Sequence, residues 1–139
     1  YDAERDGRLL EKRSGRRCFD KGIYRRLFDG GEGDLFMAKK QVVDIAKEFA
    51  KKIKGSGIPL EKTILFGSWV KGTARPDSDI DLCLVSSSFG KDEIGEMQYL
   101  LGQTLSIDDR IEPVPVSFKD YEENATPLIL EIKKYGVEI

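Results

Sequence analysis

Two short apolar runs that lie close together constrain the fold more than any other part of the sequence. Residues 63–85 read TILFGSWVKGTARPDSDIDLCLV: one apolar run ends at Gly-Ser and, ten residues later, Asp-Ile-Asp opens a second run. Short runs rich in Ile, Leu, Val and Phe predict buried strands, here at residues 63–66 and 80–85. A charged group leaves water only when something compensates it. The carboxylates at the second strand therefore indicate that a ligand or an ion compensates their charge.

The Asp-Ile-Asp motif places two carboxylates side by side. Side chains alternate along a strand, so Asp79 and Asp81 share one face with Cys83, a small residue that we expect to be buried. The opposite face is predicted to pack in the core and consists of Ile80, Leu82 and Leu84. Like charges this close repel each other, and a Mg²⁺ ion between them would remove the repulsion. The alternative is ordinary turn polarity from residues 77–79.

Gly67 and Ser68 lie where the first strand gives way to a short helical turn predicted at residues 67–72. Glycine lets backbone N–H groups approach a ligand, a helix N-terminus favours an anion, and Ser68 adds a hydroxyl group. The predicted nucleotide-binding residues are Gly67, Ser68, Lys71, Arg75 and Ser78. The alternatives are a plain turn and solvated basic side chains. Trp69 could stack on a base, although covering apolar surface is the preferred interpretation. Together with the carboxylate pair, the loop predicts a site for a metal-bound nucleoside triphosphate.

The composition excludes several other classes of site. The chain has no histidine, which removes Ser-His and Cys-His nucleophile pairs and histidine-bound zinc. The net charge of −2 does not predict binding to bulk nucleic acid. Cys18 and Cys83 have no metal-ligand spacing and are expected to be reduced thiols. Because no apolar run approaches the length of a membrane span or resembles a signal peptide, we expect a cytoplasmic protein.

The remaining elements follow from periodicity and turn residues. A helix that opens at Met37 is predicted from an apolar stripe that consists of Val42, Ile45, Ala46, Phe49 and Ile53. A second helix, over residues 91–105, is predicted to carry its apolar face on Ile94, Met97, Leu101 and Leu105. Strands and helices that alternate in this way predict a mixed α/β (α+β) fold, with a small mixed sheet and helices packed against it.

The end of the chain continues the alternation. Residues 110–116 predict a third strand, which Pro113 and Pro115 confine to an edge or an irregular position. Thr126 and the proline after it are typical of a helix start, so a helix is predicted over residues 128–135. A last short strand is predicted at residues 137–139.

The N-terminal part differs in character from the rest. Residues 1–36 are rich in charge and hold no sustained apolar stripe, so we interpret them as a flexible tail or a misassigned N-terminal extension. The alternative is a basic helical arm, with the RRLF segment at residues 25–28 as a docking element. Residues 37–139 are then the folded domain.

Gly67-Ser68, ten residues and Asp79-Ile80-Asp81 together resemble the GS-x10-DxD signature of the DNA polymerase β-like nucleotidyltransferase superfamily. The small size resembles the minimal nucleotidyltransferase branch, which includes the antitoxins that are paired with HEPN toxins. The resemblance covers residues 37–139 and implies a third carboxylate on the following strand. Glu112, in RIEPVPV, is the preferred candidate, with Asp108 and Asp109 as the alternatives.

The resemblance also implies a reaction. A substrate hydroxyl would attack the α-phosphate of a nucleotide, with ATP as the preferred donor, and pyrophosphate would leave. Asp79, Asp81 and Glu112 would be the catalytic residues and the ligands of two Mg²⁺ ions, with Mn²⁺ as the alternative metal. Gly67 and Ser68 would hold the β- and γ-phosphates.

The resemblance implies an acceptor as well. A chain with few residues after its third strand is expected to receive its acceptor from another protein, and the family suggests a tyrosine of a HEPN toxin. This protein would then be an antitoxin. The alternatives are a non-catalytic binding module with the same fold and an enzyme that modifies a small molecule such as an antibiotic. An oligomer is compatible with each of these hypotheses.

Overall fold

The computed structural model describes residues 33–139, and the hypotheses on residues 1–32 lie outside this part of the chain. One sheet of four strands, ordered β3-β2-β1-β4, organises the described residues. The strands are β1 (Lys62–Phe66), β2 (Ile80–Ser86), β3 (Ile111–Ser117) and β4 (Val137–Glu138). The helices are α1 (Gly33–Gly55), α2 (Ser68–Lys71), α3 (Glu93–Thr104), α4 (Phe118–Glu122) and α5 (Pro127–Tyr135). The predicted mixed fold is confirmed.

Most element boundaries agree with the sequence pattern, and two differ. Helix α1 begins at Gly33 rather than Met37, so the expected boundary after residue 36 falls inside a helix. Helix α4 has no counterpart in the prediction, because a five-residue helix is too short to show periodicity; Ser117 caps it by accepting a hydrogen bond from Asp120 N. The predicted cap of α5 is confirmed, since Thr126 Oγ1 accepts from Ile129 N at 3.2 Å.

The sheet combines antiparallel and parallel pairs. β1 runs antiparallel to both β2 and β4, whereas β2 and β3 are parallel. The parallel pair is joined through α3, as a parallel connection requires a crossover. This register aligns Asp81 of β2 with Phe66 of β1 on one side and with Glu112 of β3 on the other.

Both faces of the sheet are covered. The face of β2 predicted to be the core is fully buried and packs against α1 and α3. The predicted apolar stripe of α1 is confirmed, with Ile45 partly buried and its other members buried. The opposite face also packs, because Cys83 and Val85 lie beneath Ile129 and Ile132 of α5. The carboxylates of β2 therefore lie at the end of a second apolar cluster.

The predicted buried face of α3 is wrong for three of its four residues, while Met97 is partly buried. Ile94, Leu101 and Leu105 are 73%, 45% and 78% exposed, whereas Leu100 and Thr104 are buried. Adjacent residues on a helix differ by ~100° in direction, so the most apolar stripe and the stripe that faces the sheet are different surfaces of α3. The crossover between β2 and β3 determines which one packs.

The two prolines of β3 have a clear role at the sheet edge. Ile80 N donates to Arg110 O at 2.8 Å, so the backbone of Arg110 faces β2. Every second residue after it does the same, and the N–H and C=O groups of Glu112 and Val114 therefore point to β2. The nitrogens of Pro113 and Pro115 then face the open edge, where they offer no donor to another strand. The prediction of an edge strand is confirmed, and its pairing with β2 is nevertheless continuous.

None of the helices within residues 33–139 has the length and the apolar character needed to cross a membrane.

Candidate active site

Three carboxylates meet at one end of the sheet. Asp81 and Glu112 are direct partners in the parallel register of β2 and β3, and adjacent strands lie ~4.8 Å apart. Asp79 precedes β2 by one residue and belongs to the same face. Asp81 is half-buried, while Asp79 and Glu112 are exposed. The sheet thus presents the cluster to solvent at its rim, with Asp81 at the centre.

Two of the three carboxylates have raised pKa values. Burial, followed by the charge of Asp79, raises the pKa of Asp81 above its ordinary value, while a hydrogen bond with Glu112 works against this shift. The pKa of Glu112 is also raised, first by burial and then by its hydrogen bond with Asp79 and the charges of Asp79 and Asp81. The charged forms of Asp81 and Glu112 are therefore poorly compensated by protein groups.

The chemistry of this donor set fits a divalent cation. Hard carboxylate oxygens suit Mg²⁺, and a cation would relieve the repulsion that raises both pKa values. However, no group of three or more histidine, cysteine or acidic side chains within residues 33–139 has the arrangement of a metal shell. Glu112 lies within hydrogen-bonding reach of both Asp79 and Asp81 instead. Side-chain rotation would therefore have to part them before their oxygens could surround an ion.

Gly67 is fitted to the carboxylate cluster rather than only to a turn. Its φ of 84° and ψ of −151° belong to a region that is essentially restricted to glycine. A Cβ atom built on Gly67 would lie 2.0 Å from Asp81 Oδ2. The sequence predicted a close approach by a ligand at this position, and the structure adds a close approach by the protein's own carboxylate. The Gly-Ser and Asp-Ile-Asp motifs are therefore two parts of one contact.

Ser68 is the first residue of α2, immediately after this glycine. Because the N-cap residue is Gly67, no side chain caps the N-terminus of the helix. The first backbone N–H groups of α2 are therefore not used by a capping side chain.

The other predicted nucleotide-binding side chains are not gathered at the cluster. Lys71 Nζ lies 2.9 Å from Glu131 Oε2 and 5.5 Å from the centre of the Tyr135 ring, so it is directed to α5. Ser78 Oγ accepts a hydrogen bond from Arg75 N at 2.8 Å and thereby shapes the loop. The side chain of Arg75 is exposed in that loop.

Trp69 belongs to the core. It is 1% exposed, and its Nε1 donates to Ser78 O at 3.3 Å. The preferred interpretation, that Trp69 covers apolar surface, is confirmed. Its hydrogen bond also ties α2 to the residue just before Asp79.

The alternatives to Glu112 occupy other surroundings. Asp108 accepts from Arg110 Nε at 3.0 Å and from Arg110 Nη2 at 2.9 Å, and this bond, assisted by the Arg110 charge, lowers the pKa of Asp108 despite partial burial. Asp109 is exposed in the turn before β3. Glu112 is the acidic residue of this segment that lies beside Asp81.

Two further residues contribute to the site's surroundings. The sequence analysis did not single out Arg110, although an arginine that directly follows two aspartates and opens a strand is a usable signal.

Cys83 lies two residues beyond Asp81 on the same face, but burial raises the pKa of its thiol to about 12. Its thiol is therefore protonated at neutral pH and has no nucleophilic role there.

Comparisons with known proteins agree with this architecture. The family model described as "Nucleotidyltransferase domain" matches residues 42–138, which is well over half of the chain. The protein therefore belongs to the nucleotidyltransferase domain family.

A solved structure shares the fold. It is a protein of Sulfolobus solfataricus, provisionally described as a nucleotidyltransferase, and it superposes with a TM-score of 0.60. The alignment covers 79% of this chain and 89% of that one, at 18% sequence identity. An identity this low establishes the common fold and nothing about the substrate. No curated relative matches this chain.

Proposed function

We propose that this protein transfers a nucleoside monophosphate, most simply AMP from ATP, to a hydroxyl group of a protein acceptor. The observation that carries the proposal is the carboxylate cluster formed by Asp79, Asp81 and Glu112. Gly67 lies so close to this cluster that a methyl group in place of its hydrogen would overlap Asp81. Family membership supports nucleotidyl transfer in general. The nucleotide, the metal and the acceptor are the parts that we propose.

The transfer is a substitution at phosphorus. A bond forms between the acceptor oxygen and the α-phosphorus, the bond from the α-phosphorus to the bridging oxygen breaks, and pyrophosphate leaves with the electron pair. Glu112 would take the proton of the acceptor hydroxyl, a role supported by its exposed position beside Asp81. Gly67 and Ser68 would hold the outer phosphates with backbone N–H groups and a hydroxyl.

Asp79, Asp81 and Glu112 would hold Mg²⁺, or Mn²⁺ in its place. When bound, such ions neutralise phosphate charge and stabilise the attacking and leaving oxygens. Asp79 and Asp81 would also orient the triphosphate through these contacts. Without a metal ion, the acidic cluster would repel a triphosphate. We therefore expect no nucleotide binding when a chelator removes the metal.

For the acceptor we propose a tyrosine of a HEPN-domain partner, which would make this protein an antitoxin. This part of the proposal rests on the motif resemblance. It is separable from the proposed chemistry, because the same cluster could act on a different hydroxyl.

The test is a transfer assay with α-labelled ATP and Mg²⁺, with any HEPN protein from a neighbouring reading frame as acceptor. We expect label on the partner with the wild type and none with Asp79→Ala/Asp81→Ala. Asp44→Ala, an exposed substitution on α1, is the matched control and should leave transfer unchanged. Label from γ-labelled ATP would indicate phosphorylation and contradict the proposed reaction.

Other outcomes would select the alternatives. A partner that binds without being labelled under any nucleotide would favour the non-catalytic binding module. Label that appears only on a small hydroxylated molecule would favour the antibiotic-type enzyme. Comparison of Glu112→Gln with Asp109→Asn addresses the third carboxylate, and we expect only the former to abolish transfer.

A further inference from the structure

We propose that Arg110 is a positioning residue that holds Asp79 and Glu112 in register with each other. The inference rests on the proposed function for its kinetic consequences. Its geometric basis is the set of contacts that join the loop before β2 to the start of β3.

Arg110 reaches both of these segments at once. Its Nη1 donates to Pro76 O at 2.6 Å, and its own carbonyl oxygen accepts from Ile80 N at 2.8 Å. Pro76 precedes Asp79 by three residues and Ile80 follows it directly. The five-residue segment that contains Asp79 is therefore anchored to one residue at both ends.

Arg110 also determines the position of Glu112. Arg110 lies two residues before Glu112 and immediately before β3. Because only Ile111 separates the two residues in the chain, a shift of Arg110 relative to β2 would carry Glu112 with it. One residue thus couples the position of the loop that contains Asp79 to the position of Glu112 on β3.

The guanidinium group is itself held in place. Nε and Nη2 bind the two oxygens of Asp108 at 3.0 and 2.9 Å, and Asp108 Oδ1 also accepts from Arg110 N at 2.9 Å. The side chains of this pair are 27% and 17% exposed. A bidentate, largely buried pair is more rigid than an exposed ion pair, so the third donor, Nη1, is directed at Pro76 O.

Lysine could not reproduce this arrangement. The planar fork of arginine serves Asp108 with two nitrogens and Pro76 with the third, whereas an ammonium group is a single point with flexible geometry. Arg110→Lys therefore preserves the charge and removes the coupling, which makes it the informative variant.

The experiment compares Arg110→Lys with Lys62→Gln. Lys62 forms an exposed ion pair with Glu138 at 3.4 Å, at the end of β1 opposite to the carboxylate cluster. Each variant is measured for the dissociation constant of Mn²⁺ alone, for kcat and KM in the transfer assay, and for unfolding. We expect Arg110→Lys to weaken Mn²⁺ binding and lower kcat by roughly 10- to 100-fold, the usual cost of losing a residue that orients metal ligands. Lys62→Gln should stay within about twofold of the wild type on both measures, as expected for an exposed pair.

The outcomes are distinct. A folded Arg110→Lys protein with wild-type Mn²⁺ affinity and kcat overturns the inference. If Arg110→Lys does not fold, Asp108→Asn decides, since it removes the charge that holds the guanidinium group and thereby loosens its contact with Pro76 O; weakened Mn²⁺ binding supports the inference and wild-type binding overturns it. A wild type that binds Mn²⁺ in an Arg110-dependent way without transferring nucleotide refutes only the proposed function. A wild type that does neither refutes both.

Discussion

Replacing Gly67 with alanine tests the link between the two halves of the motif most directly. Gly67 has a backbone conformation that other residues avoid, and its missing side chain is the space that Asp81 fills. Gly72 offers a matched control, because its φ of 83° is almost the same while a Cβ atom there would meet nothing within 4 Å. The two alanine variants differ in the contact with Asp81 and in the backbone angle ψ.

The expected magnitudes follow from this geometry. Gly67→Ala carries backbone strain of about 1–3 kcal/mol and a steric overlap of about 1–3 kcal/mol, so the free energy of unfolding should fall by about 2–6 kcal/mol. Gly72 has a ψ of 15°, in the left-handed helical region. Gly72→Ala should therefore cost only about 1–2 kcal/mol.

A double-mutant cycle isolates the overlap. Asp81→Ala removes Asp81 Oδ2 and Cγ, which lie 2.0 and 2.9 Å from the new Cβ atom, and leaves Asp81 Cβ at 3.2 Å. Gly67→Ala should therefore be less damaging in the Asp81→Ala background, by about 1–3 kcal/mol. The assay is urea unfolding with a chelator present, so that bound ions do not contribute to stability.

The reasoning fails on either of two results. If Gly67→Ala and Gly72→Ala lower the free energy of unfolding equally, the contact with Asp81 has no energetic weight. If the effects of Gly67→Ala and Asp81→Ala simply add, the two residues are not coupled. In both cases the explanation for the paired motifs would have to be abandoned.

Three further predictions concern pH, packing and the buried thiol. Since the pKa values of Asp81 and Glu112 are raised from 3.8 and 4.5, the folded state binds more protons there. The free energy of unfolding should therefore rise as the pH falls from neutral through the raised pKa values. The double variant Asp81→Asn/Glu112→Gln should flatten this rise, as measured by urea titrations at several pH values. An unchanged pH profile would contradict the raised pKa values of these two groups. Leu100→Ala should cost about 2–5 kcal/mol in the same assay, whereas Leu101→Ala should cost less than about 1 kcal/mol, because the first side chain is buried and the second is 45% exposed. Equal losses would place the wrong face of α3 on the sheet. Iodoacetamide should leave Cys83 unlabelled until the chain unfolds, as read from its peptide by mass spectrometry, and rapid native labelling would refute its burial.

Much of the fold was predictable because its determinants are local. The stripe of α1, the cap at Thr126 and the apolar runs of β1 and β2 depend on residues close in sequence, and each element forms where these residues predict it. The two prolines of β3 likewise predicted an edge strand without knowledge of its neighbours. The pairing of Gly-Ser with Asp-Ile-Asp at a fixed spacing was sufficient to predict the family.

The face of α3 that packs and the surroundings of the site were not predictable in this way. Leu100 and Leu101 are equally apolar, and only the crossover from β2 to β3 decides which one is buried. In the same way, Lys71 is a basic residue next to the predicted phosphate loop, but Glu131 on α5, 60 residues later, attracts it.

By itself, the sequence determined most of the elements, the nucleotidyltransferase family and the placement of Asp79 and Asp81 on one face, because these depend on residue type and short spacing. The tertiary structure decided that Glu112 lies beside Asp81, that Gly67 makes room for that carboxylate, and that Arg110 joins the loop before β2 to β3. Each of these contacts joins segments that are distant in the chain. Their alignment depends on strand register and packing, which the whole fold establishes together.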